Sequence, residues 1–531
     1  MKINAREPRG DSTTTVDRSP EAIAAHLEDA AHFPGGRADG VARPRTEADV
    51  AHVLASAPQV LVIGAQSSVT GGATPNGGLV LSTERMNAVS ADGAGHVRAG
   101  AGVPLAALQE FLNGRQFWFP PVPTFTGAFV GGVAATNAAG AATFKYGTTR
   151  AWVDGLTVVL ACGHVLDIER GRTISDHQGF VISCSHGDRA VTPGRYRMPN
   201  VPKCSAGYFA APEMDLIDLF IGAEGTLGII VDARLRVDTA PASVALALVP
   251  ASTEAESLAL VTALREASKA TWRDRDARGI DVAAIESLDK RCLEILREDG
   301  VDRRNDITVP VSTEVAVLIQ LELPAGMDAT KAFDEIEAAL GSDPPDTPLA
   351  RFCRLLDRHG LLDHTELAMP GDAHRAEQFF AFREGVPAGV NRRIGEAKRL
   401  VDARIEKAAA DMIVPFDRFG EMLALYREGY RRRGLDFAIW GHASDGNVHP
   451  NTIPTSYDDV VAGKDAVLEF GRQVVALGGS PLAEHGVGRS AIKQALLREL
   501  YGAGAIDQMR AIKRALDPEW KLAPGVLFDR G

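Results

Sequence analysis

The sequence predicts an α+β protein of two or three domains, and three observations carry that prediction. The chain has 531 residues, enough to bury more than one full core. Before Pro241 short apolar runs and helical stretches are separated by glycine-rich segments. Beyond it strands alternate with helices, the pattern of an antiparallel sheet with helices on one face. The 53 glycines gather at 64–78, 127–147 and 222–228, which calls for backbone that approaches a ligand closely.

Bulk composition narrows the function class. A charged content of 24% and hydrophobic content of 45% are those of an ordinary soluble globular chain. With a net charge of −12 and no basic run longer than Arg431-Arg432-Arg433, a nucleic-acid partner is not expected; that triplet reads as the C-terminal end of a helix. The five cysteines contain no C-x-x-C pair, which argues against an iron–sulfur cluster and for reduced thiols in a cytoplasmic protein. The N-terminus lacks an apolar signal-type core and no apolar run is long enough to span a bilayer, although peripheral membrane association is compatible with both facts.

Residues 1–18 are polar and predict a loose arm; with the helix begun by Ser19-Pro20-Glu21 they make an N-terminal arm and helix, 1–40, ahead of the domain at 41–240. Thr46-Glu-Ala-Asp49 has the form of a capping box, opening a helix that ends before Pro58. Val60–Ile63 is a buried-type strand that runs into Gly64-Ala-Gln-Ser-Ser-Val-Thr-Gly-Gly72. This loop offers backbone N–H donors and the hydroxyls of Ser67, Ser68 and Thr70, with no bulky side chain to bar a phosphate. It is neither a Walker A loop nor a dinucleotide G-x-G-x-x-G. Leu79–Leu81 and Val97–Ala99 follow as strands and Pro104–Asn113 as a helix. A second small-residue surface spans Pro120–Gly127 and Gly131–Gly140, with Thr126 and Asn137 able to reach a ligand. Leu156–Leu160 and Val165–Ile168 predict a hairpin through Cys162-Gly163. Residues 171–212 carry few periodic signals and read as an excursion, after which Gly222–Gly228 turns into the strand Ile229–Val237.

In the 241–480 region strands are expected at Val244–Val249 and Val315–Leu323. Helices are expected at Glu254–Ser268, Ser287–Arg297, Ala329–Leu340, Asp372–Val386 and Asp417–Arg433. The segment 481–531 returns to the first domain and holds two helices within Ala491–Leu516, broken at 502–504.

The chemistry centres on Trp440-Gly-His-Ala-Ser-Asp-Gly-Asn-Val-His-Pro450 and on Glu484-His485-Gly486. Asp-Gly and Gly-Asn are turn dipeptides, so a tight turn brings His442 and His449 to neighbouring positions. With the Glu484 carboxylate they make three N/O ligands suited to Zn²⁺ or Mn²⁺ with one side open, against the plainer reading of two histidines hydrogen-bonded in a turn. His485 cannot easily point the same way as Glu484 and is available as a base.

The order of these segments resembles the vanillyl-alcohol-oxidase/p-cresol-methylhydroxylase type of FAD enzymes, in the D-2-hydroxyacid dehydrogenase branch. That branch includes D-lactate dehydrogenases, the glycolate oxidase flavin subunit and D-2-hydroxyglutarate dehydrogenase. Gly64–Gly72, Gly131–Gly147, Gly222–Ile230 and the pair Gly441–His449 with Glu484–Gly488 carry the resemblance. It implies a two-subdomain FAD-binding domain and a cap domain whose antiparallel sheet is flanked by helices. Gly64, Gln66, Ser67, Ser68 and Thr70 would cradle the pyrophosphate. Thr126, Gly132, Asn137 and Gly140 would line the flavin and ribityl chain, with Glu224, Gly225 and Ile230 nearer the adenine. The loop at 64–72 has no His or Tyr, so the FAD is expected to be non-covalent. By the same resemblance His442, His449 and Glu484 hold the metal and His485 is the base. Arg383 would fork the substrate carboxylate and Lys407 would lie near the substrate. The family's Asn-Pro-Gly near the C-terminus is Ala523-Pro-Gly525 here.

The expected reaction is oxidation of a small D-2-hydroxy acid of the D-lactate, D-2-hydroxyglutarate or glycolate class, hydride passing to flavin N5. Electrons would leave to a separate acceptor, an electron-transfer flavoprotein, cytochrome or quinone, and a homodimer is the default assembly. Three other readings compete. A phenol-oxidising flavoenzyme would leave Glu484-His485 without a task, and an electron-carrier subunit would have lost the ligand set. A metal hydrolase leaves the glycine segments unexplained.

Overall fold

The computed structural model describes all residues except 94, 122 and 124, so two positions of the Pro120–Gly127 segment lie outside the described residues. The chain divides into two compact units. The first comprises 1–140, 147–240 and 480–531; the second comprises 141–146 and 241–479.

In the first unit a five-stranded antiparallel sheet runs in the order Val165–Glu169, Val153–Val159, Ile229–Arg236, His96–Gly100, Val89–Ala91. A four-stranded sheet pairs Val16–Asp17, Gly40–Ala42, Leu79–Ser82 and Val60–Ile63, the last three parallel to one another. The helix Glu47–Ser56 packs on this sheet, its Val50, Val53 and Leu54 joining Val60, Leu79, Leu81 and Val159 in one core. Thr46 and Asp49 form the capping box that starts this helix. The returning C-terminal segment lies beside Val60–Ile63: Val60 N–H donates to Lys521 O and Ala523 N–H to Val60 O.

Residues 1–6 are not a loose arm. Lys2–Asn4 pairs in parallel with Phe180–Cys184, which forms a hairpin with Gly187–Val191, so a three-stranded sheet orders part of the 171–212 excursion. The first helix is also shorter than expected, Pro20–Ala24, with no buried residue to extend it.

The second unit is built on a seven-stranded antiparallel sheet in the order Glu366–Ala368, Ser243–Ala251, Val315–Leu323, Val282–Asp289, Phe437–His442, Asn447–Thr452, Met412–Ile413. Helices cover both faces rather than one. Leu248, Leu288, Leu318 and Trp440 pack under Lys290–Glu298 and Ala373–Leu400. Ser287 and Ile439, on the other face, meet residues of Glu254–Asp274 and Phe419–Arg431. Double cover explains why Ser243–Ala251 and Val315–Leu323 are apolar almost throughout instead of alternating. Where a helix from Ser287 was expected, Val282–Asp289 is a strand and the helix starts at Lys290, capped by the Asp289 carboxylate. Asp372–Val386 grows into a helix of 28 residues that runs through Pro387.

Candidate functional site

In the second unit the Asp-Gly-Asn turn does what its residues dictate. Gly446, at φ +80°, closes a short 3₁₀ turn at Ala443–Asp445 between Phe437–His442 and Asn447–Thr452. His442 stands opposite Asn447 and His449 opposite Trp440, so His442 and His449 are diagonal neighbours on one sheet face. Their ring centroids lie 5.6 Å apart with perpendicular planes. Both are buried, at 2% and 7% exposure.

Each imidazole has a carboxylate beside it. Glu286, directly across the ladder from His442, meets its Nδ1 through one carboxylate oxygen. Asp411 precedes the strand pair Met412–Val448 by one residue, and its Oδ1 stands 3.6 Å from His449 Nδ1 and accepts from Asn447 Nδ2 at 3.1 Å. Arg383 reaches Glu286 Oε2 from Nε at 2.9 Å and Nη2 at 2.8 Å, while its Nη1 donates to Glu384 Oε1 at 2.7 Å. Burial alone would raise the Glu286 carboxyl, but His442 and Arg383 outweigh it and hold it well below the usual carboxylate range. Burial likewise opposes the Arg383 charge, and Glu286 with Glu384 more than restores it. A buried ionic row thus runs Arg383–Glu286–His442, with the second imidazole and Asp411 beside it. A carboxylate on Nδ1 leaves His442 Nε2 as the ligand-type nitrogen, the arrangement usual behind metal-bound histidines, so the N/O donors here fit a divalent cation.

Lys407, four residues before Asp411 in the chain, is exposed, and its Nζ donates to Asn391 Oδ1 at 3.2 Å. Desolvation by the surrounding chain lowers its ammonium to about 8.

In the first unit the three glycine-rich segments and the C-terminal return meet. A Cβ on Gly64 would sit 3.3 Å from Phe129, just ahead of the helix Val130–Ala135. Glu224, at φ +50°, donates its N–H to Ala135 O, and its carboxylate accepts from the N–H groups of Val487 and Gly488, both at 2.8 Å. Burial pushes the Glu224 carboxyl up to about 6 against those two bonds. A Cβ on Gly225 would meet Val62, and one on Gly488 would stand 2.2 Å from Thr70 Oγ1. The loop is cross-braced: Gln66 Nε2 donates to Ala73 O at 2.9 Å, Gly71 N–H to Asp29 Oδ2 at 2.7 Å, and Thr70 N–H to Ser68 Oγ at 3.2 Å. Backbone that close to backbone, with Gly132 open on its Cβ side, fits a cofactor held by main-chain groups.

The remaining expected residues belong to the same unit. Ser67 belongs to the same loop, and Thr126 is exposed with its carbonyl accepting from Ala106 N–H. Asn137, at φ +50°, is buried and accepts from Arg150 N–H at 2.9 Å; Gly140 closes the segment. Ile230 is 7% exposed in the strand Ile229–Arg236. Glu484 receives Lys203 Nζ at 2.9 Å, and His485 Nε2 stands 3.4 Å from its other oxygen. Lys203 comes from the excursion, whose Ser205 also donates to Ala483 O at 3.1 Å.

Sequence reasoning missed Glu286, Asp411 and Lys203. A glutamate inside the apolar run Val282–Asp289 was the available signal for the first. The other two carry no local mark.

The family described as "FAD binding domain" matches residues 38–169, and that described as "FAD linked oxidases, C-terminal domain" matches 252–527. The chain is 27% identical over 495 residues to a D-lactate dehydrogenase of Archaeoglobus fulgidus, covering 91% of this chain and 90% of that protein. It is 29% identical over 489 residues to a D-2-hydroxyglutarate dehydrogenase of Xanthomonas citri pv. viticola, covering 90% and 85%. Against the glycolate oxidase subunit GlcD of Bacillus subtilis the figures are 26% over 500 residues, 92% and 89%. Among solved structures an alkyldihydroxyacetonephosphate synthase matches with a TM-score of 0.60 at 13% identity, over 96% of this chain and 83% of that one; this is a likeness of fold.

Proposed function

Because the chain belongs to the FAD linked oxidases, whose C-terminal domain takes up just over half of it, we propose that it is an FAD-dependent dehydrogenase of a D-2-hydroxy acid. Relatives named for D-lactate, D-2-hydroxyglutarate and glycolate support an oxidoreductase acting on a CH–OH group. The observation that carries the finer reading is the buried row Arg383–Glu286–His442 beside His449, a set of charges with no need in a fold held by apolar packing.

FAD, non-covalent, would be held by Gly64, Gln66, Ser67, Ser68 and Thr70 at its pyrophosphate and by Thr126, Gly132, Asn137 and Gly140 along the flavin side. Glu224, Gly225 and Ile230 would stand toward the adenine. When bound it supplies the hydride acceptor. His442, His449 and Glu484 would hold Zn²⁺ or Mn²⁺, which lowers the pKa of a coordinated hydroxyl. What joins Glu484 and His485 to the two histidines is the motif order of the sequence. His485 would take the hydroxyl proton, a task suited to an imidazole at neutral pH. Arg383 keeps Nε and Nη2 on Glu286, while Nη1 faces the more exposed Glu384 and would exchange it for the substrate carboxylate. Lys407 would add positive charge on the substrate side. Lys203 would balance the charge of Glu484 from 2.9 Å away. The electrons would pass to a separate acceptor, an electron-transfer flavoprotein, cytochrome or quinone.

The test is anaerobic bleaching of the flavin by a panel of D- and L-2-hydroxy acids, before and after treatment with EDTA. A D-acid that bleaches, fails after EDTA and recovers with Zn²⁺ or Mn²⁺ supports the whole reading. Bleaching that survives proven removal of the metal would sink the catalytic cation, and a colourless protein would sink the enzyme class.

A further inference from the structure

We propose that Cys162, His164, Cys184 and His186 form a structural Zn²⁺-type site, separate from the hydroxyacid chemistry. The four come from two hairpin turns of the same unit. Cys162-Gly163-His164 joins Val153–Val159 to Val165–Glu169, and Cys184-Ser185-His186 joins Phe180–Cys184 to Gly187–Val191. Each turn presents Cys-x-His, and one ligand atom from each of the four side chains lies within 4.8 Å of every other. The two imidazoles stand edge to face, centroids 4.9 Å apart.

The surroundings of His164 suit a ligand. His164 is 3% exposed, and its Nε2 lies 3.0 Å from Glu7 Oε1 and 2.7 Å from Ser185 Oγ. The Glu7 carboxylate close to Nε2 favours the hydrogen on that nitrogen, which leaves Nδ1 with the lone pair. That Nδ1 is buried and has no hydrogen-bond partner. A buried acceptor without a partner is costly, and a carboxylate behind the far nitrogen is how metal-bound histidines are held. Both thiols are free. Around tetrahedral Zn²⁺ with Zn–S ~2.3 Å and Zn–N ~2.0 Å, neighbouring ligand atoms stand roughly 3.3–3.8 Å apart. Binding would draw the four ligand atoms, now within 4.8 Å of one another, in to that size. On binding, each thiol releases its proton, and two thiolates balance the dication.

The site would staple the Phe180–Val191 hairpin, and with it the Lys2–Asn4 strand, to the edge of the five-stranded sheet. The same excursion delivers Lys203 to Glu484, so the staple would steady a residue beside the proposed reaction centre.

Zinc-edge X-ray absorption on the intact, FAD-loaded protein after zinc titration tests this. His442, His449 and Glu484 offer only nitrogen and oxygen, so sulfur in the zinc shell at ~2.3 Å reports the cysteine site alone. The expected result is sulfur scattering that disappears in the Cys162→Ser/Cys184→Ser variant, with loss of one equivalent of zinc and flavin bleaching retained. A shell of nitrogen and oxygen only, or no zinc uptake, would overturn the proposal. So would a Cys162–Cys184 disulfide in the freshly isolated protein by non-reducing mass spectrometry. If the double variant does not fold, the absorption spectrum of the wild type decides by itself.

Discussion

Glu286 contributes through two neighbours at once, which makes its removal informative. Replacing it with Gln keeps the shape but strips the charge that Arg383 and His442 share, leaving the buried guanidinium only the more exposed Glu384 as counter-ion. Breaking a buried pair in this way costs about 3–5 kcal/mol. If His442 is a metal ligand, Glu286→Gln should also weaken metal binding by about 10–100-fold, because the carboxylate orients the ring and raises its basicity. Calorimetric titration of the metal-free protein separates the two effects: lower stability with unchanged metal affinity would confine Glu286 to packing. His485 should behave differently. Its side chain is partly exposed, so His485→Asn should leave folding and flavin content intact, yet slow flavin reduction by about 10²–10⁴-fold in anaerobic stopped flow, as loss of a general base does. At this scale the sequence revealed residues that share a turn or a dipeptide, such as His442, His449, Glu484 and His485. It hid those whose meaning comes from a distant partner: Glu286 lies 156 positions from His442, and Lys203 lies 281 from Glu484. No periodicity encodes such pairs.

The helix Lys290–Glu298 depends on a cap that also ties two strands together. Asp289 accepts from Cys292 N–H through one oxygen and from Ile439 N–H through the other, both at 3.0 Å. Burial pushes its carboxyl from 3.8 up to about 6, with those two bonds opposing. A raised carboxyl pKa in the folded state gives stability that is complete below 3.8 and lost as pH rises through about 6; the displacement is worth about 3 kcal/mol. Asp289→Asn cannot titrate. Its amide puts a donor against Ile439 N–H and lowers stability by a fixed amount, but the fall in wild-type stability relative to the variant between pH 4 and pH 6 should be visible in urea midpoints. A constant difference across that range would show that Asp289 keeps an ordinary pKa. The cap also explains a sequence-level error. Ser287-Leu-Asp289 looks like a helix start because Asp is a good N-cap, while Val282–Leu288 before it lacks the alternation of a half-exposed strand. Burial on both faces removed that alternation. Elements whose signals are local came through: the Thr46–Asp49 box, the Val60–Ile63 strand and the Asp-Gly-Asn hairpin all stand where the residues put them. The repeated Cys-x-His of the two hairpins was equally local, but a search for C-x-x-C spacing passes over it.

At the scale of the whole chain, the second unit is one continuous insertion, 241–479, together with the short segment 141–146, and each unit has its own apolar core. Lys145 and Tyr146 anchor the short segment within the second unit, Lys145 to Asp281 at 2.7 Å and both to Glu322 at 2.6 Å. The segments proposed to hold FAD, by contrast, all belong to the first unit, although they are drawn from 64–70, 126–140 and 224–230. A ligand that bridges three distant stretches of one unit and none of the other stabilises that unit selectively. Free FAD at about 100 times its dissociation constant adds about 2.7 kcal/mol to whatever unfolds with its release. Calorimetry of the apoprotein should therefore show two transitions, one rising with FAD concentration and one indifferent to it. Tryptophan probes assign them, since Trp118, Trp152 and Trp520 lie in the first unit and Trp272 and Trp440 in the second. The same experiment examines the bond to the cofactor. A non-covalent flavin leaves with acid precipitation and its stabilisation is titratable; a covalent one stays with the protein and gives a transition that added FAD cannot move. If both transitions rise together with FAD, the units share one cooperative fold, and the cofactor segments cannot be assigned to the first unit alone.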